Sequence, residues 1–391
     1  MTPDAPAPFR IDVPEEVLDD LRDRLRRTRI PAATGHGWQG GMDPDYLGSL
    51  LDHWAHRYDW RAAERELNAM EQFTASVNGV TVHFVHRRSP EPGAVPLLFV
   101  HGWPGSFYEV HKVLGPLTDP VAHGGTAADA FSVVAVSLPG YGFSPHPDVE
   151  GIDPARIADL LTSLMVDTLG YDRFLTQGGD WGAIITTQMA HRHPRRLIGL
   201  HLNLPGARAA LDDTAPPLSQ EEKAFLAASR AWQQREGGYS ALQSTKPQSL
   251  AVGLNDSPAG LAAWIVEKFH GWSDCSDGLE SVYSQDELLT NVMLYWVTGS
   301  IGSSIRLYRE AAGAGVVLRV PSGRPIDVPT AYARFPADIM SAPREYMERM
   351  YRLVRHTEFS SGGHFAALET PTALVADVRA FARQLAAGDA R

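Results

Sequence analysis

Residues 174–182 read FLTQGGDWG: an apolar, β-prone run that breaks into two glycines, an aspartate, a tryptophan and a third glycine. The residues that follow, 182–193, carry a helical pattern. Strand, tight turn and helix in this order make the G-x-nucleophile-x-G elbow, with Asp180 where serine is usual. The flanking small residues have a steric task, because larger side chains there would collide as the chain doubles back. The turn lifts the central side chain to the top of the sheet, at a helix N-terminus. A glycine-rich turn whose aspartate merely caps a helix is the plainer alternative, and five residues alone leave the two open. The strand before, the helix after and the partners described below select the elbow.

Aspartate at this position restricts the chemistry. A serine that attacked an sp³ carbon would leave an ether, which water does not readily cleave. A carboxylate attacking the same carbon leaves an ester, and water can attack the ester carbonyl and regenerate the enzyme. The elbow therefore points to alkyl transfer from carbon–oxygen or carbon–halogen bonds, and away from a serine-type esterase.

Outward from the elbow, short apolar runs at residues 97–100, 131–137 and 197–202 alternate with helical segments, including 154–169. That alternation predicts an α/β fold with a mostly parallel sheet. Upstream, residues 73–86 form two β-rich runs around Asn78-Gly79, a strong hairpin signal. Residues 14–27, 43–58 and 59–71 read as helices, the first with acidic residues leading and basic residues following. The first ten residues read as an extended arm. Downstream of residue 205 the alternation stops for about a hundred residues of helical and irregular pattern. It resumes with strand and helix near Pro329, a last strand at 354–359 and a last helix at 371–385. The expected division is an extension at 1–90, a first core segment at 91–204, a helical insertion at 205–320 and a second core segment at 321–391.

Three segments supply partners for Asp180. HGWPGS, residues 101–106, follows the first apolar strand, and in an elbow fold one oxyanion donor comes from that loop and the other from the residue after the nucleophile. These are the backbone N–H groups of Trp103 and Trp181; His101 reads as structural. Gly362-Gly363-His364 lies on the loop after the last strand, which makes His364 the general base, whereas His356 falls within the strand. The acid that orients His364 belongs after the preceding strand. Of Asp327, Asp338, Glu345 and Glu348, Asp338 in FPADI is best placed, because the two glutamates fall on a helical stretch, residues 343–353.

The chain has 391 residues, 44% of them hydrophobic and 21% charged, the values of an ordinary globular protein. Its net charge of −11 argues against nucleic acid or an anionic membrane as partner. The single cysteine, Cys275, excludes an internal disulfide and a cysteine-built zinc cluster, and reads as a buried spectator. No apolar run is long enough to span a bilayer, and the N-terminal MTPDAPAPFRIDVP has no apolar core of a secretory signal, so a cytoplasmic location is expected.

HGWPGS, LPGYGFS at 138–144, GGDWG at 178–182, LNDSPAGLAAWIVEKF at 254–269, LLTNVMLYW at 288–296 and GGHFAALE at 362–369 together resemble the microsomal-type epoxide hydrolases, over nearly the whole chain. The resemblance implies an α/β-hydrolase fold with an inserted helical cap and an N-terminal extension. It implies a covalent Asp180 ester hydrolysed by a His364-activated water, a vicinal diol as product, and no metal or organic cofactor. It places two cap tyrosines over the nucleophile, which match Tyr239 in EGGYSALQSTKP and Tyr308 in SSIRLYRE. A phenol suits that task, since it donates to the epoxide oxygen and shares the developing alkoxide charge. The family's acid is often glutamate; here it is Asp338, one carbon shorter. Animal members carry an N-terminal membrane anchor, and without one this chain resembles a soluble bacterial member.

The substrate class implied is a small, hydrophobic, uncharged epoxide, styrene-like or a natural-product intermediate, for detoxification or biosynthesis. Trp232, Trp264, Phe269 and Trp272 are candidates for the pocket wall. The alternative is a haloalkane- or haloacid-type dehalogenase with the same Asp-His-Asp triad, in which the Trp181 indole would bind halide. The tyrosine pair argues against it. A non-catalytic scaffold would have lost a member of the triad. The oligomeric state stays open, a homodimer being one form.

Overall fold

The computed structural model describes residues 5–33, 35–147, 149–315 and 317–389. Among the described residues the main sheet has nine strands, in the order β1-β2-β3-β5-β4-β6-β7-β10-β11. These are β1 (Ala7–Phe9), β2 (Gln72–Val77), β3 (Val80–Arg87), β4 (Val95–Val100), β5 (Phe131–Val136), β6 (Phe174–Gly178) and β7 (Leu197–Leu202). Two three-residue strands, β8 (Ala207–Ala209) and β9 (Leu318–Val320), precede the last pair, β10 (Ile326–Arg334) and β11 (Tyr351–Glu358). From β5 to β11 every pairing is parallel, while the edge formed by β1, β2 and β3 is antiparallel.

The inner parallel strands are largely buried on both faces, β5 without exception, which is why they read as apolar runs rather than alternating ones, whereas the edge strand β11 is only half-buried. The Asn78-Gly79 turn joins β2 to β3 with both residues at positive φ, as a type I′ hairpin requires. Part of the N-terminal arm is a strand: Ala7, Pro8 and Phe9 pair with Thr74, Phe73 and Gln72 and cover the sheet edge. Three residues are too few for a periodic signal, and the same applies to β8 and β9, which the sequence pattern does not disclose.

Among the described residues, six α-helices lie between β8 and β9, from Gln220–Glu236 to Ile301–Ala314. β8 and β9 pair in parallel, so the chain leaves and re-enters the core through one two-stranded neck. The helices of the first ninety residues reach these inserted helices. Arg24 on the helix Glu15–Arg26 donates to the backbone oxygen (2.6 Å) and carboxylate (2.7 Å) of Asp256. The His53 imidazole lies 2.6 Å from the Asp286 carboxylate, and Tyr58 and Thr290 pair their hydroxyls at 3.1 Å. No helix among the described residues is long and apolar enough to cross a membrane.

Candidate active site

Asp180 opens the helix Asp180–Arg192 with φ at +46°, one of two described non-glycine residues at positive φ. For an L residue that conformation is strained, and strain of this kind persists where the surroundings over-determine it. They do so here. A Cβ on Gly182 would lie 1.9 Å from the Val100 carbonyl oxygen, and one on Gly102 would lie 2.1 Å from Asp180 Oδ1. The elbow, the helix behind it and the loop after β4 therefore close on one another at backbone distance, which only glycine permits.

The two carboxylate oxygens of Asp180 have different partners. Oδ1 accepts a hydrogen bond from the Trp103 backbone N–H at 2.8 Å. Oδ2 faces His364 Nε2 at 3.4 Å. Trp181 is the second residue of its helix, so its N–H has no intrahelical acceptor and is available beside the nucleophile. The HGWPGS loop is held from the inserted helix Gln285–Thr298. Asn291 Nδ2 donates to the Pro104 carbonyl (2.8 Å), Ser106 donates to Asn291 Oδ1 (2.9 Å), and the Tyr295 hydroxyl donates to the Gly105 carbonyl (2.6 Å). The Trp103–Pro104 peptide is cis.

His364 is buried, and its Nδ1 donates to Asp338 Oδ1 at 2.8 Å, which turns Nε2 toward Asp180. Burial by itself would lower the imidazole pKa. The carboxylates of Asp338 and Asp180 on either side outweigh it and hold the imidazole up at about 10. Of the other candidates for the acid, Asp327 is exposed beside Arg352, and Glu345 and Glu348 lie on the helix Arg344–Glu348, where Glu348 pairs with Arg344. The base loop is tied to the inserted segment: His364 N–H donates to the Trp272 carbonyl (2.9 Å) and Gly362 N–H to the Asp274 carboxylate (2.9 Å). Glu369 accepts from the backbone N–H groups of Asp274 (2.9 Å) and Phe365 (2.8 Å).

Tyr239 and Tyr308 are both buried, with their rings edge-to-face and centroids 5.9 Å apart. Tyr239 stacks on Trp103, and the edge of Tyr308 meets Trp181 at 4.7 Å between centroids. Burial raises both phenols, and the Asp180 charge raises them further, so both keep their protons. Trp272 packs against Tyr239 (5.2 Å) and His364 (5.0 Å), and Trp232 packs behind Trp272. Trp264 donates its indole N–H to Gln243 Oε1, and Phe269 stacks on Phe365; neither ring is paired with the tyrosines. His101 is buried, its Nε2 accepting from the Leu138 N–H at 3.2 Å, and Cys275 is buried as well.

The sequence reading passed over Asn291, Asp274, Glu369 and Glu109. Their tasks are set by tertiary packing, and each reads locally as an ordinary polar residue of a helix or loop. Three had a signal: Asn291 lies within LLTNVMLYW, Glu369 ends GGHFAALE, and Glu109 stands three residues after HGWPGS.

The family model described as epoxide hydrolase N terminus matches residues 6–110, and that of the alpha/beta hydrolase fold matches residues 95–248. A Stigmatella aurantiaca protein to which epoxide hydrolase activity is attributed is 44% identical over 97% of this chain and 85% of its own length. Epoxide hydrolase 1 of Sus scrofa is 37% identical over 96% of this chain and 88% of its own. Among solved structures, Aspergillus niger epoxide hydrolase superposes with a TM-score of 0.85 at 31% identity, covering 98% of this chain and 97% of that one. Juvenile hormone epoxide hydrolase of Bombyx mori superposes with a TM-score of 0.88 at 31% identity, covering 98% and 96%. These relatives favour epoxide opening over halide displacement. Likeness of this extent, in a chain whose elbow carries aspartate, places the protein in the epoxide hydrolase family of the α/β-hydrolases.

Proposed function

We propose that the chain hydrolyses an epoxide to a vicinal diol in two steps carried by Asp180, His364, Asp338, Tyr239 and Tyr308. Asp180 Oδ2 attacks an epoxide carbon, the carbon–oxygen bond breaks, and a phenol donates its proton to the departing oxygen. Oδ1 becomes the ester carbonyl oxygen, already bonded to the Trp103 N–H. Water then attacks the carboxyl carbon and passes a proton to His364 Nε2. The oxyanion forms on Oδ1, where the N–H groups of Trp103 and Trp181 receive it. Collapse breaks the bond from the carboxyl carbon to Oδ2, which takes the remaining proton of the water and leaves in the diol, and Asp180 returns as carboxylate. The imidazolium returns its proton to the tyrosinate.

The observation that carries this reading is the division of labour at Asp180, with one oxygen on a backbone donor and the other toward a buried, carboxylate-oriented imidazole. A charge step supports it as well. Alkylation removes the negative charge of Asp180, one of the two carboxylates that hold the His364 proton. The imidazole thus becomes a competent base when the ester appears. Trp272 packs on Tyr239 with Trp232 against its far side, and the pocket wall is assigned to these two with Trp264 and Phe269, an aromatic surround that suits a hydrophobic epoxide. The reading includes a division at residues 1–90, 91–204, 205–320 and 321–391, a cytoplasmic location and a homodimer as one form.

His364→Gln tests it. The variant should form the ester and fail to hydrolyse it, so intact-mass spectra after styrene oxide, or another epoxide the native protein turns over, should show one substrate mass added at Asp180. An unmodified variant under those conditions contradicts the scheme.

A further inference from the structure

A cavity of about 20 Å³ is lined by Glu109, Asp180, His364, Gln177, Gly179 and Asn203, among others. A single water needs about 10–15 Å³ and two to four polar partners. The cavity offers the carboxyl groups of Glu109 and Asp180 and the His364 imidazole. Glu109 belongs to the single turn Phe107–Val110, directly after the oxyanion loop. Its carboxyl oxygen occupies the place a side chain on Gly105 would take, since a Cβ there would lie 1.7 Å from Oε1. The proposed cycle gives this carboxyl no task.

We propose that Glu109 is a water-positioning residue, which holds the hydrolytic water against His364 for attack on the Asp180 ester. The inference rests on the two-step reading above. The water donates one hydrogen to His364 Nε2 and the other to the Glu109 carbonyl oxygen, leaving a lone pair directed at the ester carbon. On attack the new bond is carbon to oxygen, the proton goes to His364, and Glu109 keeps its own. Neutrality suits that task, because a second negative charge would oppose the oxyanion forming next to it. Burial pushes the Glu109 carboxyl up to about 8; the His364 charge opposes that shift and the Asp180 charge adds to it. The buried phenols of Tyr283 and Tyr295 are the other titratable groups that sense it.

The test compares Glu109→Leu with Glu109→Gln in rapid-quench single turnovers with styrene oxide, or another epoxide the native protein turns over, monitored by intact mass. Glu109→Leu should form the ester at nearly the native rate and hydrolyse it about a hundredfold more slowly, the usual effect of losing the position of a reactant. The ester then accumulates, and kcat and KM fall together. Glu109→Gln, whose amide carbonyl also accepts, should restore hydrolysis to within a few-fold and lose the alkaline limb of its pH profile. Native-rate hydrolysis in Glu109→Leu, or equal slowing of both steps, overturns the assignment of Glu109 alone. Absence of any ester in His364→Gln overturns the two-step reading, and this inference with it.

Discussion

At the scale of single residues, the site is set by which atom of Asp180 and of His364 meets which partner. The Asp338 carboxylate fixes one imidazole nitrogen, so the other faces Asp180, and the Trp103 N–H bonds Oδ1, the oxygen that carries the oxyanion in the proposed cycle. In the proposed cycle, two phenols whose protons are held by burial and by the Asp180 charge are the acids, because they would release those protons only to a strongly basic alkoxide. Tyr239→Phe combined with Tyr308→Phe should lower the rate of ester formation by about 10³-fold or more, on the scale of losing such donors. Burst kinetics measures it, and a burst of native rate would contradict the assignment. The pH dependence has a definite sign. With its value at about 10, His364 rests protonated and cannot act as a base. Loss of the Asp180 charge lowers that value in the ester, so ester hydrolysis should rise with pH along a limb lying below 10. Rapid-quench kinetics over a pH series checks this, and a hydrolysis rate independent of pH contradicts it. For stability, the raised value means that charge pairing supports the fold fully below about 6.5 and is lost as pH rises through about 10.

At the scale of elements, how much the sequence discloses depends on whether a residue's task is local. The elbow is legible because strand, glycines and helix are consecutive, and the steric need for glycine at 178 and 182 acts within a few residues. His364 and Asp338 are legible because a sheet with its site at the strand ends restricts base and acid to two loops. Tyr239 and Tyr308 are not legible as bare residues, since nothing within the helices Gly238–Thr245 and Ile301–Ala314 separates them from packing tyrosines. Only the likeness to a family singled them out. Asn291 lies further out of reach: it is a polar residue inside a helix, and its partners Pro104 and Ser106 are far away in sequence. Asn291→Ala should leave the buried Pro104 carbonyl without its donor. The expected cost is about 1–3 kcal/mol in a urea melt, with a fall in kcat as the oxyanion loop loosens. A variant with native stability and native kcat would show that the loop is held without Asn291.

At the scale of the whole molecule, the chain's length beyond one sheet domain is spent on a single site. The inserted helices supply Tyr239 and Tyr308 and also hold the oxyanion loop through Asn291 and Tyr295. Trp272 and Asp274 fix the base loop from the same side. The N-terminal helices grip the inserted ones through Arg24, His53 and Tyr58. Nucleophile and acids thus come from separate parts of the chain, and their convergence means something chemically only if Asp180 becomes covalently attached to the substrate. A single turnover in heavy-oxygen water, followed by mass spectrometry of the peptide containing Asp180, tests that directly. The account predicts one heavy oxygen in the Asp180 carboxylate and a first-turnover diol made with ordinary oxygen. Heavy oxygen in that first diol, with an unlabelled Asp180, would contradict it.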